Sequence, residues 1–185
     1  MAVQNVADTC PLCGNSNQMG AQAKPLYGHL VCKKCYWTFA NQRQEAFFID
    51  LFLFIVIYSI IYMMLRTIMR SHGVEVSTIT MNIKVYGYVS LLVFCMKDGF
   101  SGHSAGKALL DVQVLDEASG EPAGFAASFK RNLPLLIPLM PLIIALLLNK
   151  GNRIGDGWAN TKVIWGKYRN TAPFAIGTNA PAPNP

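Results

Sequence analysis

The residues best placed to do chemistry are cysteines. Cys10-Pro11-Leu12-Cys13 and Cys32-Lys33-Lys34-Cys35 form two Cys-x2-Cys pairs separated by eighteen residues. A two-residue gap lets both thiolates of a tight turn point at one ion, and two such turns complete a tetrahedron of sulfurs around zinc. Gly14 supplies the permissive backbone such a turn needs. Between the pairs, Lys24 to Val31 reads as a turn followed by a short strand, the layout of a zinc ribbon. Two disulfides are the competing use of the same residues. Met1 to Asp8 does not read as a secretory leader, so the start of the chain is expected in the cytoplasm, where such pairs hold metal. His29 is expected as an exposed strand residue. So small a segment cannot bury enough core to fold unaided, so zinc would supply much of its folding free energy.

Other chemistries find less support. Lys24, Lys33, Lys34, Tyr36 and Trp37 would offer nucleic acid some charge and aromatic surface. Three lysines make a thin patch, and a docking or structural role is favoured over nucleic acid. The glycine-rich stretch Lys97 to Lys107 lacks the hydroxyl of a phosphate loop, because Lys107 is followed by Ala108. Cys95 is expected as a packed thiol. No nucleophile and base stand at motif spacing, so the chain reads as non-enzymatic, with no small-molecule substrate identified.

These groups must be positioned around a membrane. The sequence is 52% hydrophobic and 14% charged, richer in apolar groups and poorer in charge than a soluble domain. Its net charge of +6 suits a membrane protein with basic cytoplasmic segments. Ala46 to Leu65 contains no proline, no glycine and one charge, Asp50. Twenty residues at about 1.5 Å each cover roughly 30 Å, one bilayer core. Asp50 either faces a protein interior and a partner or lies one turn inside the helix, near the headgroups. Ile79 to Met96 reads as a second span, interrupted by Asn82 and Lys84 and thinned by Gly87. Antiparallel spans would put Lys84 opposite Asp50, and the link carrying His72 is expected in solvent.

Residues 109–115 alternate as a half-buried strand through Leu110, Val112 and Val114, and Phe125 to Arg131 reads as a short amphipathic helix. Leu133 to Leu148 is apolar but carries Pro134, Pro138 and Pro141, so it is expected to kink or to leave by the face it entered. Thr161 to Trp165 reads as a further strand. If the third run returns, thirteen of sixteen basic residues fall on one side, which predicts both termini in the cytoplasm. The fold class is therefore an α-helical integral membrane protein, with two full spans and a proline-broken third apolar segment. A small N-terminal zinc ribbon and short cytoplasmic strands complete it. The expected divisions are residues 1–42 for the ribbon, 43–170 for the membrane domain and 171–185 for a Pro-rich tail.

The membrane part resembles a known family. Arg43-x-x-Ala46-Phe47-x-Ile49-Asp50 is followed by Asp98-Gly99-x-Ser101-x-x-Ser104-x-Gly106-Lys107 and Gly120-Glu121-Pro122. Arg131-Asn132, Arg153-x-Gly155-Asp156 and Thr161-x-Val163 then come in the same order. This pattern is similar to the RDD family of bacterial membrane proteins, whose arginine and two aspartates look like Arg43, Asp50 and Asp156. Asp111 departs from it, since many relatives carry glycine there. The resemblance implies a bacterial inner-membrane protein and, for some members, cation or proton transport. Under the expected topology Arg43, Asp50, Arg131, Arg153 and Asp156 gather near one cytoplasmic face, as an ion path or as a charge lock. The favoured function is an accessory or scaffolding component docking other membrane protein subunits. A small cation or proton transporter acting as a homo-oligomer is the alternative.

Overall fold

The structure is a computed structural model that describes residues 9–16, 22–137, 154–171 and 173–174. Arg153, most of the third apolar run and nearly all of the tail lie outside the described residues. In chain order the elements are β1 (Lys24–Leu26), β2 (His29–Val31), α1 (Lys33–Ser71), α2 (Val76–Cys95), α3 (Ala105–Leu109), β3 (Val112–Asp116), α4 (Phe125–Asn132), α5 (Ile154–Trp158) and β4 (Thr161–Trp165). Short 3-10 turns occupy Lys97–Gly99, Leu133–Leu136 and Gly166–Tyr168.

Helix α1 organises the molecule. Its 39 residues span about 58 Å, nearly twice a bilayer core, so one helix serves two environments. Its buried residues are Cys35, Phe39, Ala40, Arg43, Ala46, Phe47 and Asp50, a stripe at helical spacing that ends at Asp50. Beyond it Phe52, Ile55, Ile57, Ile60, Met63 and Met64 are all more than half exposed. Among the described residues α1 is the one helix long and apolar enough to cross a membrane. Its most apolar stretch has a mean hydropathy of 2.4 and is only 6% buried. A soluble protein's core helix would be covered there, so the exposed half of α1 is a candidate membrane span. Asp50 therefore stands well inside the helix, where the packed half gives way to the apolar half. The reading that set it one turn from the helix start is corrected, because α1 begins at Lys33.

The packed half carries a small α+β layer. β1 and β2 form an antiparallel hairpin through Tyr27 and Gly28, so Lys24–Leu26 is a strand where a turn was expected. β3 and β4 pair antiparallel, from Val112 opposite Trp165 to Asp116 opposite Thr161. β3 is buried on both faces, Gln113 included, which corrects the half-buried expectation. The cause is its second edge: Gly102 accepts from the Val114 N–H, and the Ala123 N–H donates to the Val114 carbonyl. Leu110 lies before the strand, and the glycine-rich stretch ahead of it coils into α3. Cys10, Cys32, Cys35, Leu26 and Val31 share one hydrophobic core with Phe39, Val112, Leu115, Val163, Ile164 and Phe174. The cysteine segment is thus packed onto the β3–β4 sheet. The Tyr27 hydroxyl ties them further, donating to the Val163 carbonyl at 2.8 Å. At the other side Phe47, Phe94 and Leu135 join α1, α2 and the start of the third run.

Candidate functional site

Two constellations stand out. In the first, the sulfurs of Cys10, Cys13, Cys32 and Cys35 all lie within 4.8 Å of one another. Cys13 Sγ and Cys32 Sγ are 3.7 Å apart, close to the roughly 3.8 Å edge of a tetrahedron with 2.3 Å metal–sulfur bonds. All four thiols are free, and together they could hold one metal ion. Backbone donors turn toward the sulfurs as well: the Cys32 N–H donates to Cys10 Sγ at 3.4 Å and the Cys35 N–H to Cys32 Sγ at 3.5 Å. Burial pushes the Cys10 thiol up, but hydrogen bonds from the Cys32, Cys13 and Leu12 backbone outweigh it and bring it down to about 7. The donor set is that of a closed, structural metal site, with every position filled by protein. His29 lies exposed on β2, outside the cluster.

The second constellation is a chain of alternating charges beneath the sheet. Arg43 Nη2 on α1 lies 3.4 Å from Asp156 Oδ2 on α5, and Arg131 Nη2 on α4 lies 2.8 Å from Asp156 Oδ1. The same guanidinium reaches Asp98 Oδ2 at 3.6 Å through Nη1. Lys107 Nζ on α3 caps Asp98 Oδ1, and Lys97 Nζ, 4.0 Å from that oxygen, continues to Asp50 Oδ2. Asp50 also accepts from the Ser104 hydroxyl at 2.6 Å and from the Gly106 N–H at 2.8 Å. Arg131, Asp98 and Asp156 are at most 1% exposed. The partner of Asp50 is thus Lys97, and Lys84 is solvent-exposed on α2.

Two glycines make the chain possible by close approach. A Cβ on Gly106 would stand 2.2 Å from the Ala46 carbonyl oxygen, and one on Gly155 would stand 1.9 Å from that of Arg131. α3 is thereby seated against α1 at Asp50, and α5 against α4 at Arg131. Asn132 Nδ2 adds hydrogen bonds to Asp98 Oδ2 at 3.3 Å and to the Cys95 carbonyl at 3.0 Å. Cys95 is fully buried, its sulfur 3.6 Å from the Asn132 carbonyl.

The model of the RDD family matches residues 39–160, about two-thirds of the chain. The chain belongs to the RDD family. The matched segment starts at Phe39, so the four cysteines precede it. No curated protein and no solved structure matches the chain. In this RDD protein Arg43, Asp50, Arg131 and Asp156 belong to one network, with Arg153 outside the described residues. Lys97, Asp98 and Lys107 are equal members that the expected cluster omitted. Asp98 and Lys107 stood in the motif already, and the signal to include them was their charge. Asp111, the departure from the family's glycine, has φ of +53°, the region glycine favours and aspartate tolerates. Its carboxylate accepts from the Lys167 N–H at 2.7 Å.

Proposed function

We propose that this RDD protein is a non-enzymatic component of the bacterial inner membrane that docks a partner membrane subunit through a rigid cytoplasmic layer. In this reading the four cysteines hold zinc, α1 and α2 both span the bilayer, and both termini lie in the cytoplasm. The single observation that carries it is the shared core of the cysteine segment and the β3–β4 sheet, with Phe39 of α1 at its centre. A metal site built into such a core sets the shape of a surface. Trp37, two residues beyond Cys35 on α1, is exposed, a side chain of the kind that anchors interfaces.

A transport reading draws on the placement of Asp50 beside an interhelical groove. One argument sets it second. Asp50, Asp98 and Asp156 are each engaged by a lysine or arginine, so an incoming cation would have to displace a bound one. Two like charges at 4 Å repel by about 4 kcal/mol at an effective dielectric of 20.

Gentle detergent extraction at native expression level, followed by native mass spectrometry with zinc quantified on the same sample, tests the proposal. Docking predicts a defined hetero-complex that is lost in Cys10→Ser and Cys32→Ser variants. A zinc-bound homo-oligomer with no other protein would sink it and direct attention to ion flux in Asp50→Asn.

A further inference from the structure

Facing stripes of α1 and α2 enclose a groove of about 890 Å³. Its lining on α1 includes Asp50, Phe54, Ile57, Tyr58 and Ile61, and on α2 Tyr86, Val89, Val93 and Phe94, each set at helical spacing. Two aromatic contacts join the helices beside it: Phe54 and Phe94 have ring centroids 4.6 Å apart, and Tyr58 and Tyr86 stack at 5.0 Å. Ile57, Val89 and Val93 line the groove yet are more than half exposed, so the described residues leave these walls uncovered.

The groove has the depth of one leaflet. From Asp50 to Ile61 it follows α1 for about 16 Å, and from Tyr86 to Met96 it follows α2 for about 15 Å, at about 1.5 Å per residue. Half of a roughly 30 Å bilayer core is the same length. Both of its charged residues, Asp50 and Lys97, stand at one end, together with His103 and Ser104. Of the pair, Lys97 is the more exposed, its side chain at 11% against 3% for Asp50. An ammonium has three N–H donors, so Lys97 can hold a second acceptor without leaving Asp50. His103 adds an imidazole N–H at the same end.

We propose that the groove holds one phospholipid of the leaflet adjoining the α3–α4 layer, with an acyl chain between α1 and α2 and its phosphodiester on Lys97 and His103. The inference rests on the reading that α1 and α2 both span the bilayer. Three features select this occupant: the depth of one leaflet, apolar walls at the level of its acyl chains, and a cation at the level of its phosphates. Basic groups between spans at the cytoplasmic side are where anionic headgroups bind.

The test uses the full chain in detergent, stripped of lipid, titrated with phosphatidylglycerol or with diacylglycerol of the same chains, and read by native mass spectrometry. The site predicts one phosphatidylglycerol retained per chain under activation that removes diacylglycerol. Val93→Trp adds bulk to an exposed wall and keeps every charge, so it should lose the adduct. Phe52→Trp, exposed on α1 outside the groove, should keep it. A folded Val93→Trp protein that still retains the lipid overturns the site, and so does equal retention of the two lipids. A lipid-free dimer overturns it by giving the groove to a second copy, and a lipid-free monomer overturns it as well. An impermeant maleimide on Ser71→Cys in right-side-out vesicles checks the spans separately. A labelled link without retained lipid overturns the site alone, whereas an unlabelled link overturns the spanning reading and the site with it.

Discussion

Arg131 Nη2 stands 2.8 Å from Asp156 Oδ1, and each residue is 1% exposed. This pair joins α4 to α5, and through the other guanidinium nitrogen it reaches Asp98 after the second helix. Deleting one partner of a buried ion pair strands the other charge, at roughly 3–5 kcal/mol. Arg131→Met takes one cation from each of two carboxylates, leaving Asp156 to Arg43 and Asp98 to Lys107, and should cost up to about that much, read as lost folded yield and a lower melting point in detergent. Adding Asp156→Asn to Arg131→Met should recover part of the loss. A double variant no more stable than Arg131→Met would show that the two residues are not coupled.

The cysteine core makes a second prediction, one that reaches from metal to membrane domain. Phe39 stacks on Trp165 with centroids 6.1 Å apart and meets Phe174 edge-on at 5.0 Å, while the Arg43 guanidinium lies 5.6 Å from the Phe39 ring. With zinc held as proposed, chelating it, or replacing Cys10 by serine, should loosen this core and change tryptophan emission in step with the metal released. Trypsin should then cut after Lys33 and Lys34. Unchanged emission and cleavage in metal-free protein would show that the hairpin packs without its ion.

Gly155 and Gly157 lie in the same short helix and separate packing from conformational effects. A Cβ at Gly155 meets the Arg131 backbone, whereas one at Gly157 has nothing within 4 Å. Gly155→Ala should therefore cost about 1–3 kcal/mol or more, because backbone must move. Gly157→Ala should change stability by no more than about 1 kcal/mol, in the stabilising direction. Equal melting points for the two variants would refute the close approach.

What the sequence made legible follows the range of the interactions. The cysteine pairs signal themselves through a two-residue gap, and the apolar half of α1 through unbroken composition. The packed half was harder to see. Ala46 and Phe47 are as apolar as the residues beyond Asp50, yet they face protein, and only the partner elements reveal it. Antiparallel geometry, a long-range rule that a sequence does supply, puts Lys84 at the opposite membrane face from Asp50 and names no partner for the carboxylate. Lys97 reaches Asp50 because the chain turns back at Lys97–Gly99 and lays α3 over α1. The burial of Gln113 depends on the 99–104 turn, whose Ser101 carbonyl accepts from Gln113 Nε2 at 3.0 Å. No local pattern carries that contact.

The turn after β3 gives a prediction in pH. Asp116 Oδ1 accepts from the Ser119 N–H at 2.9 Å, the Ala118 N–H at 3.0 Å and the Ser119 hydroxyl at 3.3 Å. These donors, the Ser119 amide foremost, hold the carboxyl below its ordinary value of 3.8. A depressed carboxyl binds its proton less readily folded than unfolded, so its contribution to the turn is complete above that ordinary value. It fades as pH falls through the lower folded value. Amide exchange at Ala118 and Ser119, corrected for intrinsic rate, should lose protection over that window. In Asp116→Asn the amide oxygen still accepts but carries no charge, so protection should be lower and flat with pH. A wild-type profile equally flat would mean that the charge of Asp116 does not hold the turn.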